Sequence, residues 1–176
     1  MLRYASDEAE LARLSAQAKQ WSCLHCGRIG TLNAHGFLRG VAENLPGKDA
    51  LRGQRFFCSN RGHRPGCGRT TSVLLAQVLR HASVRTGSFW RFCEGRLSGL
   101  SILAAWEKAR CVFSLESVYR WWRRWRKAEP AVRTQLFRGR EPPGGLLTAI
   151  TGTYGAVDPL AVFQAREQRV WPGFAS

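Results

Sequence analysis

The sequence predicts a mostly helical α+β protein in which a small metal-held module precedes a helical domain. Three observations predict it. Four of the six cysteines, Cys23, Cys26, Cys58 and Cys67, all fall before residue 70, and two of them open Cys-Gly steps. Between Trp21 and Thr71 glycines cut the chain into pieces too short for long helices. Beyond residue 100 the apolar residues recur every three or four positions, as one face of a helix requires.

The 176 residues suffice for one ordinary domain or two small ones. With 44% hydrophobic and 22% charged residues, the composition is that of a folding chain. Lys and Arg outnumber Asp and Glu by 27 to 12, for a net charge of +15. Residues 23–92 alone hold eleven basic side chains against two acidic ones, and nearly all are arginines, which suit bidentate contact with phosphates and guanine edges. Such a field draws in a polyanion. No run is long and apolar enough for a membrane span, and the acidic start, Asp7, Glu8 and Glu10, lacks the pattern of an export signal. The expectation is a cytoplasmic, nucleoid-associated protein whose cysteines are ligands and core residues rather than disulfides.

In chain order, residues 1–20 contribute an N-terminal helix, capped by Ser6 or Asp7, with Leu11, Leu14 and Ala18 on one face. Residues 21–72 form the cysteine module, with Arg55, Phe56 and Phe57 as a short strand leading into Cys58. Residues 73–138 form the helical domain. Its first helix begins with the apolar run around Val73, Leu74 and Leu79; Ser88 caps a second; 101–109 make a third, with Ile102, Leu103 and Trp106 inward. Ser114 caps a fourth that stops before Pro130, and Pro130 starts a short one toward Phe137. Residues 139–176 hold a linker, GREPPGG, and a last helix opened by Asp158 and Pro159.

Cys23 and Cys26, three positions apart and followed by Gly27, form a zinc knuckle: both thiolates reach one ion while the glycine lets the backbone turn beneath the sulfurs. Cys58 and Cys67 complete a four-cysteine site, although the eight residues between them exceed the usual two to four. A closed site of this kind is structural, and zinc is the cofactor it implies. His63 stands as the rival ligand in the second pair, with His25 and His35 as rivals in the first. Cys93 and Cys111 read as core. The loop bearing Arg61, Arg64 and Arg69 has the chemistry for phosphate and base contacts.

On the helix after Ser114, residues Leu115, Val118, Trp122 and Trp125 face inward, while Ser117, Arg120, Arg124 and Lys127 fall on another face with Arg123 and Arg126 beside it. A capped turn, an apolar face and long cationic donors are what a helix-turn-helix reading helix needs. Ser117, Arg120, Arg123, Arg124 and Lys127 are therefore its candidate DNA contacts.

A ribbon reading RFFCSNRGHRPGCGRTTSV followed by SLESVYRWWRRWRK resembles the N-terminal DNA-binding region of insertion-sequence transposases and their accessory proteins. The resemblance implies a zinc ribbon with Cys23, Cys26, Cys58 and Cys67 as ligands, a recognition helix over 114–127, double-stranded DNA as partner, and a role in transposition or transcription regulation. The acids beyond Asp49, namely Glu94, Glu107, Glu116, Glu129, Glu141, Asp158 and Glu167, give no converging carboxylates for metal-dependent phosphoryl transfer, so a binder without catalysis is expected. RNA binding by the ribbon and an adaptor role in a larger nucleoprotein complex are the alternatives. A homodimer is open as the assembly.

Overall fold

The computed structural model describes residues 3–42, 45–62, 65–80, 82, 84–110, 113–137, 142–172 and 174, with backbone alone for 41–42 and 45–49. Strand β1 (Arg3–Ala5) leads into α1 (Glu8–Ala16) and a single 3-10 turn (Ala18–Gln20). Asp7 caps α1, accepting the Glu10 amide at 2.7 Å. A long hairpin follows, β2 (Leu32–Ala42) and β3 (Leu45–Cys58), then β4 (Thr70–Leu75). The four strands make one open sheet in the order β1-β4-β3-β2, with β1 parallel to β4 and the other pairs antiparallel.

The strand β4 replaces the helix expected from residue 73. An apolar run this short fits either structure by pattern alone. Here Thr70, Thr71 and Val73 are β-branched, and the run lies between two strands, pairing Phe57 with Thr70 on one side and Tyr4 with Leu74 on the other. Covered on both faces at its end, with Val73, Leu74 and Leu75 all buried, it shows no alternation.

Five helices complete the chain: α2 (Thr86–Leu97), α3 (Ile102–Lys108), α4 (Leu115–Phe137), α5 (Gly145–Tyr154) and α6 (Pro159–Glu167). Ser101 and Asp158 cap α3 and α6 through the Ala104 and Ala161 amides. Ser88 does not cap α2. The cap position belongs to Arg85, and Ser88 sits buried within the first turn, accepting from the Arg91 guanidinium at 3.0 Å. Ile102 and Trp106 pack half-buried against the helical core as expected, but Leu103 is 48% exposed; the fully inward positions are Ala105 and the cap residue Ala109, and Gly95 lets α2 approach Ala105 closely. Nor does the fourth helix stop before Pro130. α4 runs through it, since Trp125 and Val132 on either side enter the same core, and the carbonyl left without a donor lies toward exposed Pro130. The helix α5 was not anticipated, its cap position being Gly144 with no side chain to announce it.

One core lies beneath the sheet, where Leu11 and Ala18 meet Leu32, Phe56, Val73, Leu75 and two metal-site cysteines, Cys23 and Cys58. A larger one, rich in aromatic rings, unites α2 to α6 around Trp90, Trp125, Phe163 and Trp171. The two halves are tied by side chains hydrogen-bonded to backbone, of which Gln164 is buried. The Gln164 side chain donates to the Ala76 and Val78 carbonyls at 2.6 and 3.0 Å and accepts the Trp171 amide at 3.1 Å. One turn on, Gln168 pairs with both backbone groups of Tyr4 as a further strand would. The Arg52 guanidinium donates to the Leu79 and Ala82 carbonyls. Gln164→Leu leaves two carbonyls and an amide buried without partners. It is expected to lower stability by about 3 kcal/mol or more, read from urea midpoints at unchanged slope. No single helix among the described residues is long and apolar enough to cross a membrane.

Candidate metal centre and cationic surfaces

The sheet brings Cys23, Cys26, Cys58 and Cys67 together, and their Sγ atoms all lie within 4.8 Å of one another. Metal–sulfur bonds of about 2.3 Å give a tetrahedron with edges of about 3.8 Å. Cys23 and Cys67, and Cys26 and Cys58, are each 3.8 Å apart, too far for a disulfide and right for two opposite edges. The four residues therefore fit a tetrahedral divalent ion such as zinc.

The two halves of the site repeat one backbone pattern. In the first, the Cys23 amide donates to the Arg28 carbonyl at 2.8 Å and the Gly27 amide donates back to the Cys23 carbonyl at 2.8 Å. In the second, the Cys58 amide donates to the Arg69 carbonyl and the Gly68 amide to the Cys58 carbonyl, each at 2.9 Å. Gly27 and Gly68 both take φ +72, a left-handed turn costly for any side chain. Within the second knuckle, the Gly66 amide donates to the Ser59 carbonyl at 3.0 Å. Cys58, Ser59, Gly66 and Cys67 thus occupy the four places of a CxxC turn, with six residues of sequence, 60–65, inserted between its two middle places. The long spacing is an insertion that leaves the knuckle intact.

Two predictions follow from that register. Deleting residues 60–65 joins Ser59 to Gly66, and the shortened chain is expected to retain its metal stoichiometry in elemental analysis. Gly66→Ala drives a Cβ into the Ser59 carbonyl and is expected to speed metal loss to a colorimetric chelator severalfold, despite being the smaller change.

Sulfur-directed hydrogen bonds complete the site. The His25 and Cys67 amides donate to Cys23 and Cys58 at 3.4 and 3.3 Å, and the Thr31 hydroxyl lies 3.1 Å from the Cys58 sulfur. Thr31 is buried, and no local motif pointed to it. Burial pushes the Cys58 thiol up, but the Thr31 hydroxyl, the Cys67 amide and the neighbouring thiols outweigh it and hold it down to about 7. At Cys67 the Arg69 amide favours the thiolate, yet burial and the other three sulfurs prevail and push it up to about 11. Four sulfurs this close resist sharing negative charge, and a divalent cation removes that resistance. His25 turns away from the cluster, its Nε2 lying 3.2 Å from the Thr70 carbonyl, and exposed His35 packs beside Phe57. His63 lies outside the described residues.

The remaining candidates form two sets. Arg61 and Arg69 are exposed on the loop and just beyond the second knuckle, and Arg64 lies outside the described residues. On α4, Val118, Trp121, Trp122 and Trp125 are buried, and Arg120, Arg123, Arg126 and Lys127 are exposed, with Ser117 and Arg124 half-buried. Ser114 holds the helix start, its Oγ accepting the Ser117 amide at 3.3 Å. Arg120 reaches Glu116 and Arg126 reaches Glu129, while among the described residues Arg123, Arg124 and Lys127 have no ion-pair partner. The link from α3 to α4 is pinned where the Trp106 indole donates to the Phe113 carbonyl at 2.9 Å and the Phe113 ring meets Trp121 edge-on at 5.0 Å. Cys93 is buried in the helical core, and Cys111 lies outside the described residues.

No protein-family model, no curated protein and no solved structure matches the chain.

Proposed function

We propose that the chain is a non-catalytic, zinc-containing protein that binds double-stranded DNA, as a transcription regulator or an accessory factor in recombination of mobile elements. In this reading α3 and α4 are the two helices of a helix-turn-helix, α4 lies in the major groove, and the arginines at the second knuckle hold flanking phosphates. The observation that carries it is the split character of α4. Its tryptophans fix one face in the core, and the rest offers exposed Arg123 and Lys127 with half-buried Arg124 beside them, none paired with a carboxylate among the described residues. Long cationic donors on a rigid, capped helix are suited to phosphate oxygens and base edges, and a net charge of +15 adds long-range attraction. The metal's role is structural: it holds the end of the sheet from which Arg61 and Arg69 project.

The deciding experiment is quantitative binding to duplexes of varied sequence, and to RNA hairpins, across a salt series. The reading expects one DNA sequence to be preferred at raised salt, and Arg123→Ala with Arg124→Ala to weaken it while metal content and melting temperature stay unchanged. Each lost phosphate contact should lower the slope of log affinity against log salt by about 0.9. Equal binding to every duplex removes sequence readout, and preference for the RNA hairpins replaces DNA by RNA as the partner.

A further inference from the structure

The outer face of the sheet is covered for only part of its length. Tyr4 and Leu74 are buried there against Ala161, Ala165 and Val170 of the C-terminal region. Toward the metal end, register places Phe57 between Asn33 of β2 and Thr70 of β4, and Arg55 beside Ser72, all on this same face by strand alternation. Arg55, Thr70 and His35 are exposed, and Phe57, Asn33 and Ser72 only half-buried.

An open groove of about 300 Å³ lies here, lined by Asn33, His35, Phe57, Ser59 and Arg61. Phe57 forms its floor. The His35 ring stands 5.8 Å from that ring at 43°, and the Arg61 guanidinium lies over it, 5.9 Å from its centroid. Asn33 forms a fixed wall, donating to the Thr31 carbonyl at 3.2 Å and accepting from Lys19. Among the described residues no carboxylate lines the groove. An apolar ring left partly open to water, flanked by an imidazole and a guanidinium and by no negative charge, selects a flat, polar-edged and anionic ligand.

We infer that this groove takes an unpaired DNA base, which stacks on Phe57 by displacing the exposed Arg61 guanidinium from over that ring to the base's outer side, with His35 at its edge and Arg55 near its phosphate. The assignment rests on reading the chain as a DNA binder and adds a second mode to it. Bases within a duplex have both faces covered by their neighbours, so an aromatic floor gains only from a base that is frayed, flapped or looped out. The protein thereby senses a junction between paired and unpaired DNA, with α4 on the duplex and the sheet on the free strand.

The test uses the full zinc-loaded chain and two DNAs of one sequence, a fully paired duplex and the same duplex with a three-nucleotide flap containing 2-aminopurine. The flap should bind roughly 10-fold more tightly, with its fluorescence quenched on binding. Phe57→Ala should abolish both the preference and the quenching, and exposed His35→Ala should reduce them without disturbing the fold. Paired-duplex affinity should stay unchanged in both variants. Equal affinity of the native chain for the two DNAs, or a preference surviving both substitutions, overturns the inference and leaves duplex binding standing. Absence of binding to either DNA overturns both.

Discussion

Cys58→Ser is expected to reduce the metal from about one ion per chain to near zero and to unfold the sheet half of the molecule. Cys58 is fully buried, its sulfur is bonded by Thr31 and Cys67, and its backbone closes the second knuckle through Arg69 and Gly68. A serine hydroxyl does not ionise at neutral pH and is a poor fourth ligand. Structural zinc in small modules supplies roughly 10–16 kcal/mol of apparent binding free energy, as large as the whole stability of an ordinary domain. The core under the sheet, small and with cysteines among its members, has little else to replace it. Hydrogen exchange should show protection lost over β2 to β4 and kept in α2 to α6, whose aromatic core contains no metal ligand. Acid should act in the same direction. Protons compete with the metal for thiolates, so metal-linked stability is complete at neutral pH and is lost as pH falls. Cys93→Ser, equally buried but in the helical core, should leave the metal untouched. A Cys58→Ser chain that keeps one ion and its native melting temperature would remove Cys58 from the site.

What could be read from the sequence divides by how local its cause is. Asp7, Ser114 and Asp158 mark helix starts because a cap acts over three residues, and all three hold those positions, whereas Ser88 lies inside the first turn of α2. The cysteine quartet was legible from two Cys-Gly steps, since the turn below each sulfur demands the glycine. The insertion was not, because nothing local shows that Ser59 and Gly66 meet. The hairpin β2–β3 escaped for a related reason: its pairing register shifts three times, which scrambles the alternation that identifies strands. Missing the hairpin also hid the groove, since Asn33 and His35 of β2 meet Phe57 of β3 only across strands. On α4 the 3.6-residue period carried the assignment, and Trp121, at the edge of the apolar face, joins the core through Phe89 and Phe113.

Trp125→Ala is expected to cost about 3–5 kcal/mol, the range for emptying a fully buried aromatic site. Trp125 is completely buried, stacked on Trp171 with ring centroids 5.4 Å apart and planes within 4°, and followed in the same layer by Trp122. Its indole N–H, however, has no hydrogen-bond partner among the described residues, so the group contributes volume and ring contacts rather than polarity. Trp125→Phe should consequently fall between the native chain and Trp125→Ala in melting temperature, since losing that N–H removes an uncompensated buried donor. The pair also separates two roles of α4. In the proposed reading, removing Arg123 and Arg124 should change affinity for DNA at constant stability, whereas Trp125→Ala should change stability and, at a temperature where it is still folded, loosen the helix that carries those arginines. If α4 is the reading helix, the two lesions act on one contact: combining Trp125→Ala with Arg123→Ala should weaken binding by less than the sum of the separate losses. A Trp125→Ala chain that binds with native affinity and an undiminished salt slope would place the reading surface on the arginines beside the metal instead of on α4.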